Sequence, residues 1–357
     1  MNLLKRIITK SVIGAAIAAA PMVSLSSCDG AIYEDLDPCR SGIEVRFVYD
    51  YNMLFANAFY SQVDCLTLFV YDSDYKYVTT LTETTSALKD ENYRMALELD
   101  PGEYHLLAYG GMQCDKPSFH FSPIPGAGSE MNSLTVAMNT NCIGANPGVK
   151  LHSLFYGELA VTVPEPESNT YTTATLPMMC DTHNVRVLLQ HVNGNPISSD
   201  DFDFAITGAD NFMFDYANNI LPLGQDTDVY PWVKGDENAK YDSYGNLIAD
   251  DDADDDATVA PIAAFAEFST SRLYANAPMR LEISNHASGE PVLSVPLIRC
   301  LLLLKSEKYA SMPSQEYLDR ESEWNVIFFL DSNNNWIDTK IVINGWVVRL
   351  NTTDLWN

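Results

Sequence analysis

Along most of the chain, apolar and polar positions alternate at a period of two, in short runs. In "GIEVRFVYDYN", Val45, Phe47 and Tyr49 alternate with Glu44 and Arg46, the pattern of a strand with one buried face. "VDCLTLFVYDSDYKYVTTL" holds two such runs about Asp72-Ser73-Asp74 and predicts a hairpin. "YRMALELDPGEYHLLAYGG" reads the same way around Asp100-Pro101-Gly102, where proline presets one dihedral and glycine accepts a positive one. Strands are also predicted at "SLTVAMN" and "HSLFYGELAVTVP". The composition then loosens through "EPESNTYTTATLPMMCD", a candidate boundary.

A second series of strands begins at "THNVRVLLQHV" and "FDFAITGA" and resumes at "FAEFSTSRLYANAPMRLEIS" and "PVLSVPLIRCLLLLKS". It closes with "SEWNVIFFLDSNNNWIDTKIVINGWVVRLN", which turns at Ser332 to Asn335. Between them lies an acidic stretch near 236–260 with few large apolar residues, expected to be a solvated loop. A short helix is predicted only around Ser314 to Glu323. No repeat of 20 to 50 residues stands out, although both halves share a strand-turn-strand character. The prediction is an all-β chain of two tandem antiparallel β-sandwiches, at 43–178 and 179–357. The 19 Tyr and 15 Phe suit extended, half-buried strands.

The N-terminus breaks this pattern. Lys5, Arg6 and Lys10 precede an apolar run from Ser11 to Leu25, and small residues follow. That order describes a secretory signal rather than a membrane-spanning helix. Its last residues, Leu25-Ser26-Ser27-Cys28, look like a bacterial lipobox, which predicts cleavage between Ser27 and Cys28 and lipid on the Cys28 thiol. Residues 1–27 would then be the signal peptide and 28–42 a lipidated tether. Stable anchoring takes more than one acyl chain, each buried methylene contributing about 0.8 kcal/mol. The alternative is an ordinary signal with Cys28 free or disulfide-bonded.

The formal charge of −27 argues against a nucleic-acid partner, whose phosphates it would repel. Cys39, Cys65, Cys114, Cys142, Cys180 and Cys300 remain beside Cys28 and leave the disulfide pairing open. One or two structural disulfides are expected, with a buried free thiol an alternative for Cys65. No Cys or His spacing predicts a metal centre. His183 and His191 share one strand-like run that would hold them roughly 26 Å apart. No zinc-protease, hydrolase-elbow or phosphate-loop motif occurs. Asp331-x-Asn333-x-Asn335 matches half of a calcium loop, but Trp336 occupies the glycine position and a hairpin turn explains it. The acids from Asp250 to Asp256 lack that loop's glycine turn and distal glutamate. No catalytic residue is assigned.

The segment "DPCRSGIEVRFVYDYNMLFANAFYSQVDCLTLFVYDSDYKYV" resembles the opening of the anchor subunits of fimbrillin-type (type V) pili, the FimB/Mfa-type minor fimbrial proteins. "LDPGEYHLLAYGG" is similar to that family's next strand pair. "EYLDRESEWNVIFFLDSNNNWIDTKIVINGWVVR" is similar to its closing segment, through Tyr317-Leu318-Asp319-Arg320 and Ile343-Asn344-Gly345-Trp346. The resemblance implies two transthyretin-like sandwiches and a non-enzymatic lipoprotein, exposed on the outer membrane, that holds a fimbria and limits its length. Its partners would be the shaft subunit and other pilus components, joined by β-strand addition. The family's shaft proteins mature by cleavage after an arginine near the first strand. Arg40 and Arg46 lie in that region, but cutting there would sever the tether from Cys28, so an intact tether is expected.

Edge strands and the C-terminal alternation Trp346, Val348, Leu350 are the candidate partner contacts. The other explanation of that alternation is a final core strand. A second functional reading is a surface lipoprotein binding glycan or host ligand, with Tyr230, Trp232 and Trp336 as an aromatic platform. A third is a lipoprotein enzyme of unrecognised type.

Overall fold

The structure is a computed structural model describing residues 42–165, 171–238, 240–241, 247–248, 262–303, 305, 309–344 and 346–349. Ser27, Cys28, Cys39, Arg40 and Leu350 lie outside the described residues, as do the acids from Asp250 to Asp256.

The first half contributes β1 (Gly42–Val48), β2 (Leu66–Asp72), β3 (Tyr77–Glu83), β4 (Met95–Glu98), β5 (Gly102–Gly110), β6 (Phe119–Ser122), β7 (Thr135–Met138), β8 (Phe155–Val163), β9 (Thr172–Pro177) and β10 (Met179–Cys180). One sheet runs β4-β1-β9 and another β10-β8-β5-β2-β3. The second half contributes β11 (Thr182–His191), β12 (Phe202–Ala209), β13 (Met213–Asp215), β14 (Thr227–Val229), β15 (Val233–Glu237), β16 (Lys240–Tyr241), β17 (Leu247–Ile248), β18 (Ala263–Ser271), β19 (Arg280–Asn285), β20 (Pro291–Pro296), β21 (Glu323–Leu330), β22 (Trp336–Ile343) and β23 (Trp346–Arg349). Its sheets run β15-β18-β11-β21-β22-β23 and β14-β12-β19-β20. The all-β expectation holds.

The halves share one wiring diagram. In chain order, β1, β2, β3, β4, β5, β8 and β9 correspond to β11, β12, β14, β18, β19, β20 and β21, with the same neighbours in the same order. Within each unit the first strand pairs antiparallel on one side, to β4 or β18. On its other side it pairs parallel, to β9 or β21. The repeat is one of topology, which residue periodicity does not reveal.

Two apolar layers hold the first unit. Ile43, Val45 and Phe47 of β1 pack with Leu66, Leu68 and Val70 of β2 between the two sheets. The opposite face of β2 sends Phe69 and Tyr71 into a second core, which continues through Val185, Phe202, Phe268 and Trp324 of the second unit. With both faces covered, β2 reads as a continuous apolar run rather than an alternation. A three-stranded sheet, β13-β7-β6, adds backbone pairing between the halves.

Three hairpin turns use the same device. Asp72, Asp215 and Asp331 each accept, through Oδ1, backbone N–H groups two and four residues onward. The residues at the third position, Tyr75, Asn218 and Asn334, adopt φ of 59°, 62° and 64°. Aspartate suits the first position because its carboxylate imitates the backbone turn, and asparagine tolerates the left-handed one. The calcium-like triplet at 331–335 is therefore one of three such turns.

Elsewhere the sequence expectations need correction. Asp100-Pro101-Gly102 does not close a hairpin, because β4 pairs with β1 while β5 pairs with β2 and β8. The turn carries the chain from one sheet to the other. "PVLSVPLIRCLLLLKS" is strand only as far as Pro296, and α2 (Leu297–Leu302) follows. Proline is tolerated where a helix starts, and the leucines behind it favour helix. Besides α1 (Phe59–Gln62), the remaining helix named here is α3 (Ser314–Arg320), close to the predicted one. In the acidic stretch, Asp236 and Glu237 belong to edge strand β15, and β16 pairs with β17.

Candidate partner-binding edges and the joint between the repeats

The two units differ where the wiring diagram ends. In the second, β21 is flanked by β11 and by β22, which runs antiparallel along its far side. In the first, β9 closes its sheet among the described residues. Thr172, Thr173, Thr175 and Pro177 are exposed there, while Leu176 is buried beneath them. A sheet end with short polar side chains offers backbone donors and acceptors without obstruction. Trp346 and Val348 lie on β23, which pairs with β22 at the opposite end of the six-stranded sheet. Arg46 lies inside β1, in register with Thr175 of β9, where a protease has no extended loop to grip.

The Tyr-Leu-Asp-Arg stretch forms a joint on α3. Asp319 accepts Nε and Nη2 of Arg272 at 2.8 Å each. Gln315 donates to the same carboxylate at 2.8 Å. The Arg272 Nη1 group donates to Asn218 O at 2.8 Å, and Asn218 Nδ2 donates to Asp181 Oδ1 at 3.1 Å. Asp181 sits in the single-residue link between β10 and β11, fully buried. Burial pushes its carboxyl up to about 7, against the pull of Arg272, and its Oδ2 is buried without a hydrogen-bond partner. Arg320 pairs with Glu316 at 2.8 Å and lies 4.0 Å over the Tyr51 ring and 4.7 Å over Phe55, both from the loop after β1. Tyr317 meets Trp324 edge-on at 5.8 Å. One short helix thus ties the loops of one unit to the core of the other. Sequence reading missed Arg272 and Asp181; only the Tyr-Leu-Asp-Arg stretch hinted at the place.

The histidines on β11 serve structure. His183 is fully buried and lowered to about 4 by burial; Trp324 Nε1 lies 3.5 Å from its Nδ1. The Nδ1 atom of His191 lies 2.7 Å from Asp331 O. Among the described residues no group of His, Cys, Asp and Glu is placed to hold a metal ion. Cys65 pairs with Cys114, and Cys142, Cys180 and Cys300 are free. The free-thiol alternative for Cys65 is thereby overturned: the strand start and the loop after β5 bring the two Cα atoms within 5.4 Å.

The aromatic platform is not assembled. Trp336 packs edge-on to Phe328 at 5.8 Å as part of the core surround. Trp232 lies under the Lys150 ammonium at 4.8 Å. Tyr230 alone of the three lines a groove of about 800 Å³, with Asn146, Asp203, Glu282, Ser284 and Ser294 also on its walls.

The described residues thus form an all-β scaffold of two like-wired units joined by an ion-paired helix. The chain belongs to the family of fimbrillin-A associated anchor proteins Mfa1 and Mfa2, whose sequence profile matches residues 36–352. It is similar to a candidate adhesin of Bacteroides thetaiotaomicron VPI-5482, at 43% identity and a TM-score of 0.78, over 89% of this chain and 100% of that one. A second protein of that strain, described as a candidate polysaccharide-binding protein, is 29% identical with a TM-score of 0.71, over 88% and 99% of the two chains. The fimbrial anchor protein Mfa2 of Porphyromonas gingivalis shares the fold at 12% identity and a TM-score of 0.61, over 88% and 100%. No curated protein sequence matches. Family membership gives the chain a fimbrial accessory role at the cell surface.

Proposed function

We propose that this chain is the lipid-anchored subunit that holds a fimbria to the outer membrane and limits its length. Cys28 carries the lipid, residues 28–42 form the tether, and the first shaft subunit joins by β-strand addition. The carrying observation is the asymmetry between like-wired units: β22 runs beside β21, whereas β9 ends its sheet among the described residues. A partner strand beside β9 would give the first unit the neighbour that β22 gives the second. The alternation Trp346, Val348, Leu350 is the other proposed contact, its first two residues lying on β23 at the far end of the six-stranded sheet. Strand addition needs no catalytic group, since backbone hydrogen bonds provide affinity and side-chain pockets provide specificity.

Electron microscopy of cells and culture supernatant, wild type against Cys28→Ala, tests the anchor. The expected result is fimbriae shed into the medium or abnormally long, with bald cells. Attached fimbriae of normal length beside a stable, secreted Cys28→Ala protein would overturn it.

The groove at Tyr230 favours a second reading, glycan binding: Tyr230, Phe202 and Phe204 line it together with carboxylates, an amide, hydroxyls and Lys234. Retention on a glycan column, lost in Tyr230→Ala, would support it; passage of wild type unretarded would remove it.

A further inference from the structure

Where the β1–β4 ladder ends, two arginines line one pocket. The last pair of that ladder is Val45 with Met95; Arg46 is the next residue of β1, and Arg94 immediately precedes β4. Like charges gathered at one place repel. The chain holds 48 acidic residues against 21 basic ones, yet among the described residues neither arginine forms an ion pair. The Nε atom of Arg46 is buried without a hydrogen-bond partner, and Arg94 donates only to the neighbouring Tyr93 O, at 2.8 Å. Both line a pocket of about 460 Å³ with Asn57, Tyr60, Glu91 and Asn92. The Asn57 side-chain oxygen already accepts the N–H groups of Tyr49 and Phe59 at 3.0 and 3.1 Å, leaving its amide nitrogen as the donor on offer. Glu91 is exposed and pairs with neither arginine.

We propose that this pocket is an oxyanion site that takes a phosphate group. A bound anion turns the repulsion between Arg46 and Arg94 into two charge-assisted contacts and gives the orphaned Nε an acceptor. Guanidinium forks match phosphate and carboxylate alike. A phosphate monoester presents three terminal oxygens to the two forks, whereas a carboxylate presents two. A phosphate on a membrane lipid and one on a soluble molecule offer the same chemistry. The lipid source rests on the anchor reading: the fourteen residue-to-residue steps from Cys28 to Gly42 span at most about 50 Å, which would keep the first unit close to a bilayer.

The test is a melting-temperature titration of the purified full chain with inorganic phosphate, against chloride at matched ionic strength. Arg46→Gln and Arg94→Gln are run beside wild type. Ligand that binds only the folded state raises its stability by mass action. A saturable rise is expected with phosphate, about tenfold or more weaker in each variant. Without phosphate, Arg94→Gln should melt no lower than wild type, since it removes one of two like charges; a merely structural arginine would lower it. Equal responses to phosphate and chloride, or an undiminished phosphate response in both variants, would overturn the proposal. Co-sedimentation with phosphatidylcholine vesicles carrying phosphatidic acid, lost in both variants, would assign the site to lipid. Failure to sediment beside an intact phosphate response would support the site with a soluble source. The phosphate arm stands apart from the anchor reading, so either can fail alone.

Discussion

The two units follow the same strand order but are braced by different means. In the first, a disulfide fixes the start of β2 to the loop after β5, and β9 ends the smaller sheet among the described residues. In the second, β22 and β23 extend the corresponding sheet, and the buried Arg272–Asp319 pair holds α3 against it. A shared topology therefore does not imply a shared source of stability. The first unit has a covalent brace and, among the described residues, a sheet that ends at β9. The second is widened by strands and braced by charge, and it carries the helix that grips the first. This division suits an anchor in which one unit receives a partner while the other supports it.

The largest expected effect tests the charge brace. Removing Asp319 leaves Arg272 buried with no bidentate partner, and breaking a buried pair from one side typically costs about 3–5 kcal/mol. Urea denaturation of Asp319→Ala should show that loss, with the second unit melting first. A loss below about 1 kcal/mol, the scale of an exposed pair, would show that solvent reaches the joint. Next comes the covalent brace. Cys65 and Cys114 close a loop with a sequence separation of 49, so a Cys65→Ser, Cys114→Ser protein should lose up to about 4 kcal/mol. The loss should be confined to the first unit; equal destabilisation of both would mean that the shared core couples them into one cooperative block.

The joint should also respond to pH. Burial raises the Asp181 and Glu321 carboxyls to about 7. The folded state then holds protons that the unfolded chain releases near 4, so these groups reduce stability as pH rises from about 4 to 7. His183 acts oppositely: lowered to about 4 when folded against 6.5 when free, it makes stability fall as pH drops through that interval. Taken together, these two acids and one histidine contribute a net decline toward pH 7. Asp181→Asn leaves one of each and should flatten the slope, the change amounting to at most about 4 kcal/mol across the window. Melting temperatures from pH 4 to 8 measure it. A slope unchanged by Asp181→Asn would show that Asp181 is ionised throughout.

How much of this was legible depended on the length scale of each signal. The strands of β1, β2 and β11 and the turns after Asp72 and Asp331 announce themselves within ten residues, because side-chain direction and turn chemistry are local. The partnership of those strands is not local. Asp100-Pro101-Gly102 looks like a hairpin turn, and only the pairing of β4 with β1 shows that it links two sheets. The leucines after Pro296 illustrate the ambiguity of short apolar runs, which fit a buried strand or a helix equally. The site residues divide in the same way. The lipobox on which the Cys28 proposal rests is a linear motif, read without any fold. Arg272 with Asp319 and Arg46 beside Arg94 were invisible as pairs, since their partners lie 47 and 48 positions away.

The smallest effect on stability should accompany the largest effect on assembly. Thr173 and Thr175 are exposed on β9, on the face opposite Leu176. Replacing both by lysine removes no core contact, so urea denaturation should register a change within about 0.5 kcal/mol. Lysine on an edge strand is, however, a device by which proteins prevent further pairing. If a shaft subunit adds its strand beside β9, the double variant should fold and reach the cell surface normally yet fail to retain fimbriae, lowering cell-attached filaments as is expected of Cys28→Ala. The corresponding edge of the second unit is occupied, and it supplies the control: lysines on β21 would disrupt its pairing to β22 and unfold the protein instead. Normal fimbriation of a stable Thr173→Lys, Thr175→Lys strain would move the partner contact away from β9 and toward the end of the sheet that carries Trp346 and Val348.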